Sequence, residues 1–459
     1  MPTDSIPHPF SDLADDVRGN VLLPGAHGYD EELRGFQAGF SHHPAVIVCA
    51  LGADDVQAAV RFAAARGMAV AVQSTGHGLT VVDRGGLLLK TDRMTEVTVD
   101  PETRRARIDA GARWHHVVDR AEPYGLAPPS GSAGHVGVVG YTLAGGMGLL
   151  AREFGYAADH VRALDVVTAD GELREVTAAK QPDLFWALRG GRDNFGIVTS
   201  LEIDLQSVSR VYGGGVFFDS EHAVAVMSFF REWTSRVPDS MTASLGMIGY
   251  PPMPSLPEVL RGRHVLHVRF TTTDLTGGPD LVRPWLDVAP VLLEHLGELP
   301  YRETGSIYRE PDFSHPYDGN SVLLSELDPA VLEAVRQLAG ADAPVGCIVD
   351  LRHLGGALAR QPETPSALSF RDAAYVLRIL SVPDGQNLAD VRAVHQLLDD
   401  AVRPWTLGRS LNFVYGERAA DEFRSEFYEK PVLDRLAALK AVYDPANVFR
   451  RNQNIEPAV

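Results

Sequence analysis

Cysteine is almost absent from these 459 residues: only Cys49 and Cys347 occur, and no CxxC pair exists. That count excludes a disulfide framework and a structural zinc site. Positive charge is also short, with 42 Lys and Arg against 60 Asp and Glu, a net charge of -18. The balance argues against a nucleic-acid backbone or an anionic membrane surface as partner. Although 45% of the chain is hydrophobic, no apolar run approaches the roughly 18 residues that a membrane helix needs. The opening "MPTDSIPHPFSDLADDVRG" has neither the basic n-region nor the apolar h-region of a secretory signal, so the expected location is the cytoplasm.

Several familiar chemical fingerprints are missing too. No G-x-G-x-x-G follows a strand, and "GGRDNFG" lacks the Lys-Ser/Thr of a P-loop. No G-x-S-x-G nucleophile elbow occurs. His42-His43 and His115-His116 are adjacent pairs, whereas zinc ligands on a helix want i,i+4 spacing, so no metal site is expected.

What is present reads as a large mixed α/β protein. "AVIVCALGADDVQAAVRFAAARGMAVAVQ" is strand, helix, strand, with Asp54 and Asp55 at the helix start and Gly67 at its end. Beyond the second strand stands the turn Ser74-Thr75-Gly76-His77. Ligands of open α/β sheets gather outside the carboxyl ends of strands. Consecutive N–H groups in such a turn can form a concavity for a pyrophosphate.

Short strands "GLLLKT", "EVTVD" and "RARIDAGA" and a helix "WHHVVDRAEPYG" follow. Seven glycines then occur from Gly131 through Gly148. That density fits backbone lying against backbone or ligand. "ALDVVTADGELREV" reads as a hairpin turning at Asp170-Gly171. Composition shifts near Leu205, and the chain ends on the amphipathic "PVLDRLAALKAVYDP" and the tail "NVFRRNQNIEP". The expected organisation is a cofactor lobe over 1–205 built from two α/β subdomains, a substrate lobe over 206–404, and a segment over 405–459 returning to the first lobe.

Five stretches in order, "VAVQSTGHG", "GSAGHVGVVGYTLAGGMGLLAREFGYAADHV", "VVTADGE", "DLFWALRGGRDNFGIVTSLEIDL" and "YDPANVFRRNQNI", resemble the berberine bridge enzyme-like flavoprotein oxidases. The tail is especially similar to hydroxynicotine-oxidising and secondary-metabolite members from bacteria. The resemblance implies an α+β, two-lobed FAD-binding fold of the vanillyl-alcohol-oxidase/PCMH type, with a substrate lobe of antiparallel sheet covered by helices. It implies an FAD-linked oxidase acting on a small molecule, an alcohol, an amine or a natural-product scaffold, and returning electrons to O2. A flavin-dependent cyclase, dehydrogenase or oxygenase is the alternative. A monomer or homodimer is expected.

By the same resemblance, His77 carries FAD covalently. Gln73 and Thr75 depart from the usual turn, so Thr75 needs an ordinary negative φ. Ala133 stands where many members bond a cysteine to the flavin, which implies one covalent link rather than two. Val136 matches a position described as an oxygen gate, where valine admits O2. Other FAD contacts carried over are Ser74, Thr75, Gly76, Gly131, Gly137, Gly140 and Tyr141, with Ile197 and Val198 at the adenosine end.

In "SLNFVYG", Asn412 is kept, while Ser410 and Phe413 replace tyrosines. Alternation along "CIVDLRHLGGA" puts Asp350 and Arg352 on one strand face, Leu351 and His353 on the other. Asp350 roughly matches a carboxylate lining the site in the family, and this resemblance implies that Asp350 and Arg352 orient substrate. Tyr375, in "ALSFRDAAYVLRILSVP", is expected to serve as base or hydrogen-bonding partner.

Overall fold

The computed structural model describes residues 10–79, 84–383, 385, 387–416 and 423–459. Residues 1–9 of the opening stretch and Thr80, at the end of the glycine-histidine turn, lie outside the described residues.

The first lobe holds two sheets. In one, β1 (Asn20–Leu22), β2 (Val46–Cys49), β3 (Val70–Gln73) and β4 (Leu87–Lys90) are ordered β1-β2-β4-β3. β2 and β3 both pair parallel to β4. Every residue of β2 and β4 is buried, as expected for parallel strands covered on both faces. The helix Ala53–Ala65 packs Val56, Ala59, Val60 and Ala63 into the core below. Its buried Asp55 accepts from the Leu51 amide and the Arg18 amide, which fixes the start of the helix.

The second sheet is antiparallel, with order β5-β6-β9-β7-β8. Its strands are β5 (Val97–Asp100), β6 (Arg105–Asp109), β7 (Val161–Val167), β8 (Leu173–Thr177) and β9 (Ile197–Asp204). The β7–β8 hairpin turns where the sequence places it, with Gly171 at a φ of +77°.

The other lobe is one sheet of eight strands: β10 (Arg210–Asp219), β11 (Met241–Gly249), β12 (His264–Thr272), β13 (Val291–Pro300), β14 (Asp318–Leu324), β15 (Ile348–His353), β16 (Tyr375–Ser381) and β17 (Thr406–Gly408). Their order is β13-β10-β12-β11-β15-β16-β14-β17, antiparallel throughout. Helices Ala223–Thr234, Pro329–Ala339 and Leu388–Val402 cover one face through a core of Phe230, Trp233, Val335 and Leu398 against Leu245, Leu351 and Leu377. The opposite face looks toward the first lobe. The molecule is thus a two-lobed α+β protein whose second lobe is an antiparallel sheet covered by helices. No helix among the described residues is long and apolar enough to cross a membrane.

The tail closes onto the first lobe. The Val70 amide donates to the Val448 carbonyl, and Asn194 bonds both Gln453 and the Ile455 amide.

Candidate active site and flavin cradle

The turn after β3 is pressed against the chain's own N-terminal segment. Gly76 has a φ of +71°, and a Cβ there would stand 2.7 Å from the Gly35 Cα. Only glycine meets both demands. The amides of Phe36 and Gln37 donate to the carbonyls of Thr75 and Gly76 (2.9 and 3.0 Å). Thr75 is absent from the positive-φ residues, so the departure at that position introduces no backbone strain.

His77 leaves this turn into a nest of rings. Phe36 stacks on it at 3.9 Å between centroids, and His135 lies at 4.8 Å from both. Its Nδ1 lies 2.8 Å from the Thr75 hydroxyl, and the Tyr317 hydroxyl donates to its carbonyl at 2.5 Å. Burial, reinforced by the charges of His135, Arg113 and His315, pushes the imidazole down to about 3. His77 is therefore a neutral base near pH 7.

The glycine-rich segment faces the same turn. The helix Val138–Leu143 begins at Gly137, where a Cβ would meet Ser74 Oγ and Thr75 Oγ1, each at 3.4 Å. Gly131 lies against the Tyr141 ring at 3.2 Å by the same measure, while Gly140 faces open space. Asn412 spans the helix end, its Nδ2 donating to the Tyr141 carbonyl and its Oδ1 accepting from the Gly146 amide (3.2 and 3.3 Å). Val136 packs against the first-lobe core, and its carbonyl accepts from Trp114. Ile197 and Val198 are buried at the start of β9.

Ser74 Oγ, His77 Nε2 and Tyr141 Oη are buried without a hydrogen-bond partner among the described residues. Such atoms are costly unless a further group satisfies them. With the close-set turn and helix N-terminus, they fit a flavin dinucleotide carrying an anionic diphosphate.

The second lobe supplies the cleft floor. On β15, Asp350 and Arg352 face the cleft as the alternation requires, and Arg378 of β16 pairs with Asp350 in register. Asp350 Oδ2 accepts from Arg352 Nε at 2.6 Å, and Oδ1 lies 3.3 Å from Arg269 Nη2. Burial opposes ionisation of Asp350, but Arg352 and Arg269 outweigh it and hold the carboxyl below its ordinary value. Tyr308 shares a hydrogen bond with Ser244 at 2.8 Å and lies under Arg269. Phe413 sits between Arg352 and Arg378, 5.1 Å from each guanidinium.

Tyr375 corrects the reading of β16. It points to the helix-covered face with Leu377 and Ile379, beside Phe230. Its hydroxyl lies 2.6 Å from Thr234 Oγ1, whose own proton goes to the Phe230 carbonyl. Tyr375 therefore donates to Thr234, and burial raises its pKa. It does not line the cleft. Arg378, Arg269, Tyr308 and Phe36 do belong to the site and were not singled out from sequence. Period-two alternation could have found Arg378 once Val376 was placed on the cleft face, but the pattern does not say which face that is.

Cradle and floor together define an FAD-binding oxidoreductase. A pattern described as an FAD binding domain matches residues 44–177, and one described as "Berberine and berberine like" matches 409–456. The chain thus carries an FAD-binding domain and a berberine-like segment, and it is similar to FAD-linked oxidoreductases along nearly its whole length.

It is 28% identical to (R)-6-hydroxynicotine oxidase of Paenarthrobacter nicotinovorans, covering 96% of this chain and 97% of that protein. It is 27% identical to xylooligosaccharide oxidase of Thermothelomyces thermophilus, covering 99% and 96% respectively. Among solved structures, xylooligosaccharide oxidase from Myceliophthora thermophila C1 superposes with a TM-score of 0.86 at 24% identity, over 98% of this chain and 99% of that one. Glucooligosaccharide oxidase from Acremonium strictum, described with a 6-S-cysteinyl, 8α-N1-histidyl FAD, superposes at 0.84 with 21% identity, over 98% of this chain and 99% of that one.

Proposed function

We propose that this chain is an oxidase holding FAD through one covalent bond to His77, and that it acts on a small alcohol, amine or natural-product scaffold. The observation that carries this reading is His77 itself: a half-buried, neutral imidazole at the end of an amide turn, whose buried Nε2 has no partner among the described residues. Ala133 offers no thiol for a second bond. Ser74, Thr75, Gly76 and the N-terminus of Val138–Leu143, with Gly131, Gly140 and Tyr141 beside it, would hold the diphosphate and ring system. Ile197 and Val198 would flank the adenosine. FAD bound there would supply a hydride acceptor and a route for electrons to O2, giving hydrogen peroxide, and Val136 would admit the O2.

The second lobe orients the substrate. A carboxylate held ionised by two guanidiniums is a weak base, so Asp350 serves to fix Arg352 and Arg269 rather than to take a proton. Tyr308, beside both arginines, is the phenol we assign as proton acceptor or hydrogen-bonding partner in place of Tyr375. A second reading has one observation in its favour. Phe413 stands between the arginines where the family has a tyrosine, which suits a tailoring cyclase, dehydrogenase or oxygenase whose substrate supplies its own acid and base.

Oxygen uptake over a panel of alcohols and amines tests the proposal. The expected result is one peroxide formed per O2 consumed with at least one compound, and no uptake by His77→Ala protein freed of FAD. Uptake without peroxide would favour the oxygenase reading, and no uptake with any compound would count against an oxidase.

A further inference from the structure

The cleft floor carries more positive charge than it neutralises. Asp350 Oδ2 accepts from Arg352, and its Oδ1 lies in ion-pair range of Arg269 at 3.3 Å. Arg378, across the strand pair from Asp350, is left without a carboxylate among the described residues. Its Nε is buried with no hydrogen-bond partner, although the guanidinium also reaches the Tyr415 hydroxyl. A second carboxylate, Glu310, lies within electrostatic reach of Arg352 and Arg378. Its Oε2 accepts from Ser132 at 3.0 Å, which draws it toward the glycine-rich segment. Three guanidiniums against two carboxylates leave one positive charge uncompensated.

The sequence makes room for this arrangement. A Cβ on Gly246 would stand 2.0 Å from Arg269 Nη2, so the central strand β11 gives up a side chain to seat the arginine. Glycine weakens a strand interior, which makes the vacancy informative. Aromatic rings hold the guanidinium planes: Arg269 lies over Tyr308 at 4.3 Å, and Arg378 lies 5.1 Å from Phe413 and 5.7 Å from Tyr415. Arginine forks fixed in this way match planar oxyanions, with two donors to one group. A buried cation lacking its counter-ion is costly, and the cost is recovered when a ligand brings the anion.

We propose that the substrate carries an oxyanion, a carboxylate or a phosphoryl group, which docks on Arg378 and Arg352 in the cleft. The proposal rests on the reading of this cleft as the substrate site of a flavoenzyme. It adds what that reading lacks, a chemical handle that substrates must possess. Arg378 supplies the free donors, Arg352 is oriented for the same group by Asp350, and Phe413 spaces the two guanidiniums. Neutral sugars and uncharged amines would leave Arg378 unpaired and bind weakly.

The test uses FAD-loaded protein and three probes: benzoate, its neutral isostere benzamide, and inorganic phosphate, titrated by calorimetry at fixed low salt. Benzoate or phosphate is expected to bind at least about tenfold tighter than benzamide. Arg378→Gln should lose about tenfold of that affinity while Arg378→Lys keeps part of it. Preference for benzoate over phosphate assigns a carboxylate, and the reverse assigns a phosphoryl group.

Binding of neither anion more tightly than benzamide, or anion binding unchanged in Arg378→Gln, would overturn the proposal. Flavin absorbance is recorded on the same samples. Protein that takes up no FAD overturns the flavoenzyme reading, whereas FAD-loaded protein that does not discriminate overturns only the oxyanion site. Circular dichroism of Arg378→Gln and Arg378→Lys separates a lost contact from a lost fold.

Discussion

Lys440→Met is expected to cost the protein about 3–5 kcal/mol of stability, the range for breaking one side of a buried ion pair. Lys440 and Asp444 lie one helical turn apart and are both fully buried. The ammonium donates to Asp444 Oδ2 at 2.6 Å, to the Asn194 carbonyl at 2.7 Å and to the Phe449 carbonyl at 3.1 Å. Asp444 in turn accepts from the amides of Val448 and Phe449. Asn194 belongs to the first lobe and binds the tail at two further points, Gln453 and Ile455. Methionine fills the volume but leaves a buried carboxylate and two carbonyls without their shared donor. Guanidinium unfolding followed by circular dichroism measures the loss. A change under about 1 kcal/mol, the size typical of exposed pairs, would mean that the tail is held by other contacts.

Mild acid is expected to have an effect at least as large. His42, His267 and His353 are buried in the fold. Burial pushes His42 down to about 4 and His353 to about 3, and holds His267 well below its ordinary value. His353 receives a hydrogen bond at Nε2 from Arg152 at 3.1 Å, which requires that nitrogen to be unprotonated. In the unfolded chain each imidazole gains a proton as pH falls through about 6.5, while in the fold each stays neutral to a much lower pH. The unfolded state therefore binds more protons, and stability falls as pH drops below about 6.5.

Three such groups lose about 4 kcal/mol per pH unit over that range, against a typical total of about 5–15 kcal/mol. The thermal midpoint should be steady from about pH 8 to pH 7 and fall steeply between about pH 6 and pH 5. A midpoint unchanged down to pH 5 would show that these imidazoles are protonated in the fold.

Much of the architecture is legible in the sequence, because in the first lobe local and global signals agree. "AVIVCA" forms β2, the Asp-led run forms Ala53–Ala65, and Asp170-Gly171 turns the β7–β8 hairpin. The cradle is legible for the same reason, since Gly76 answers to a positive φ and a close backbone contact that no other residue permits.

The second lobe was harder to read. β10 contains Gly213, Gly214 and Gly215 in succession, yet it pairs on both edges. At Gly214 a Cβ would come 1.7 Å from the His295 carbonyl, so the weak strand formers are demanded by the neighbouring strand. For β16 the alternation was visible but its phase was not. The face of Tyr375 depends on register with β14 and β15, which are far away in sequence. The arginine floor depends on the same long-range pairing, as does the stacking of Phe36 on His77.

The central claim is that His77 carries FAD as a covalent group. Its most direct test is the intact mass of the purified protein under denaturing conditions, taken beside that of His77→Ala. A wild-type mass raised by one FAD and lost in the variant is the predicted result. A bare polypeptide mass from a yellow wild-type preparation would contradict the tether and leave His77 as a neighbour of noncovalent flavin. A colourless preparation that takes up no added FAD would contradict the flavoenzyme itself.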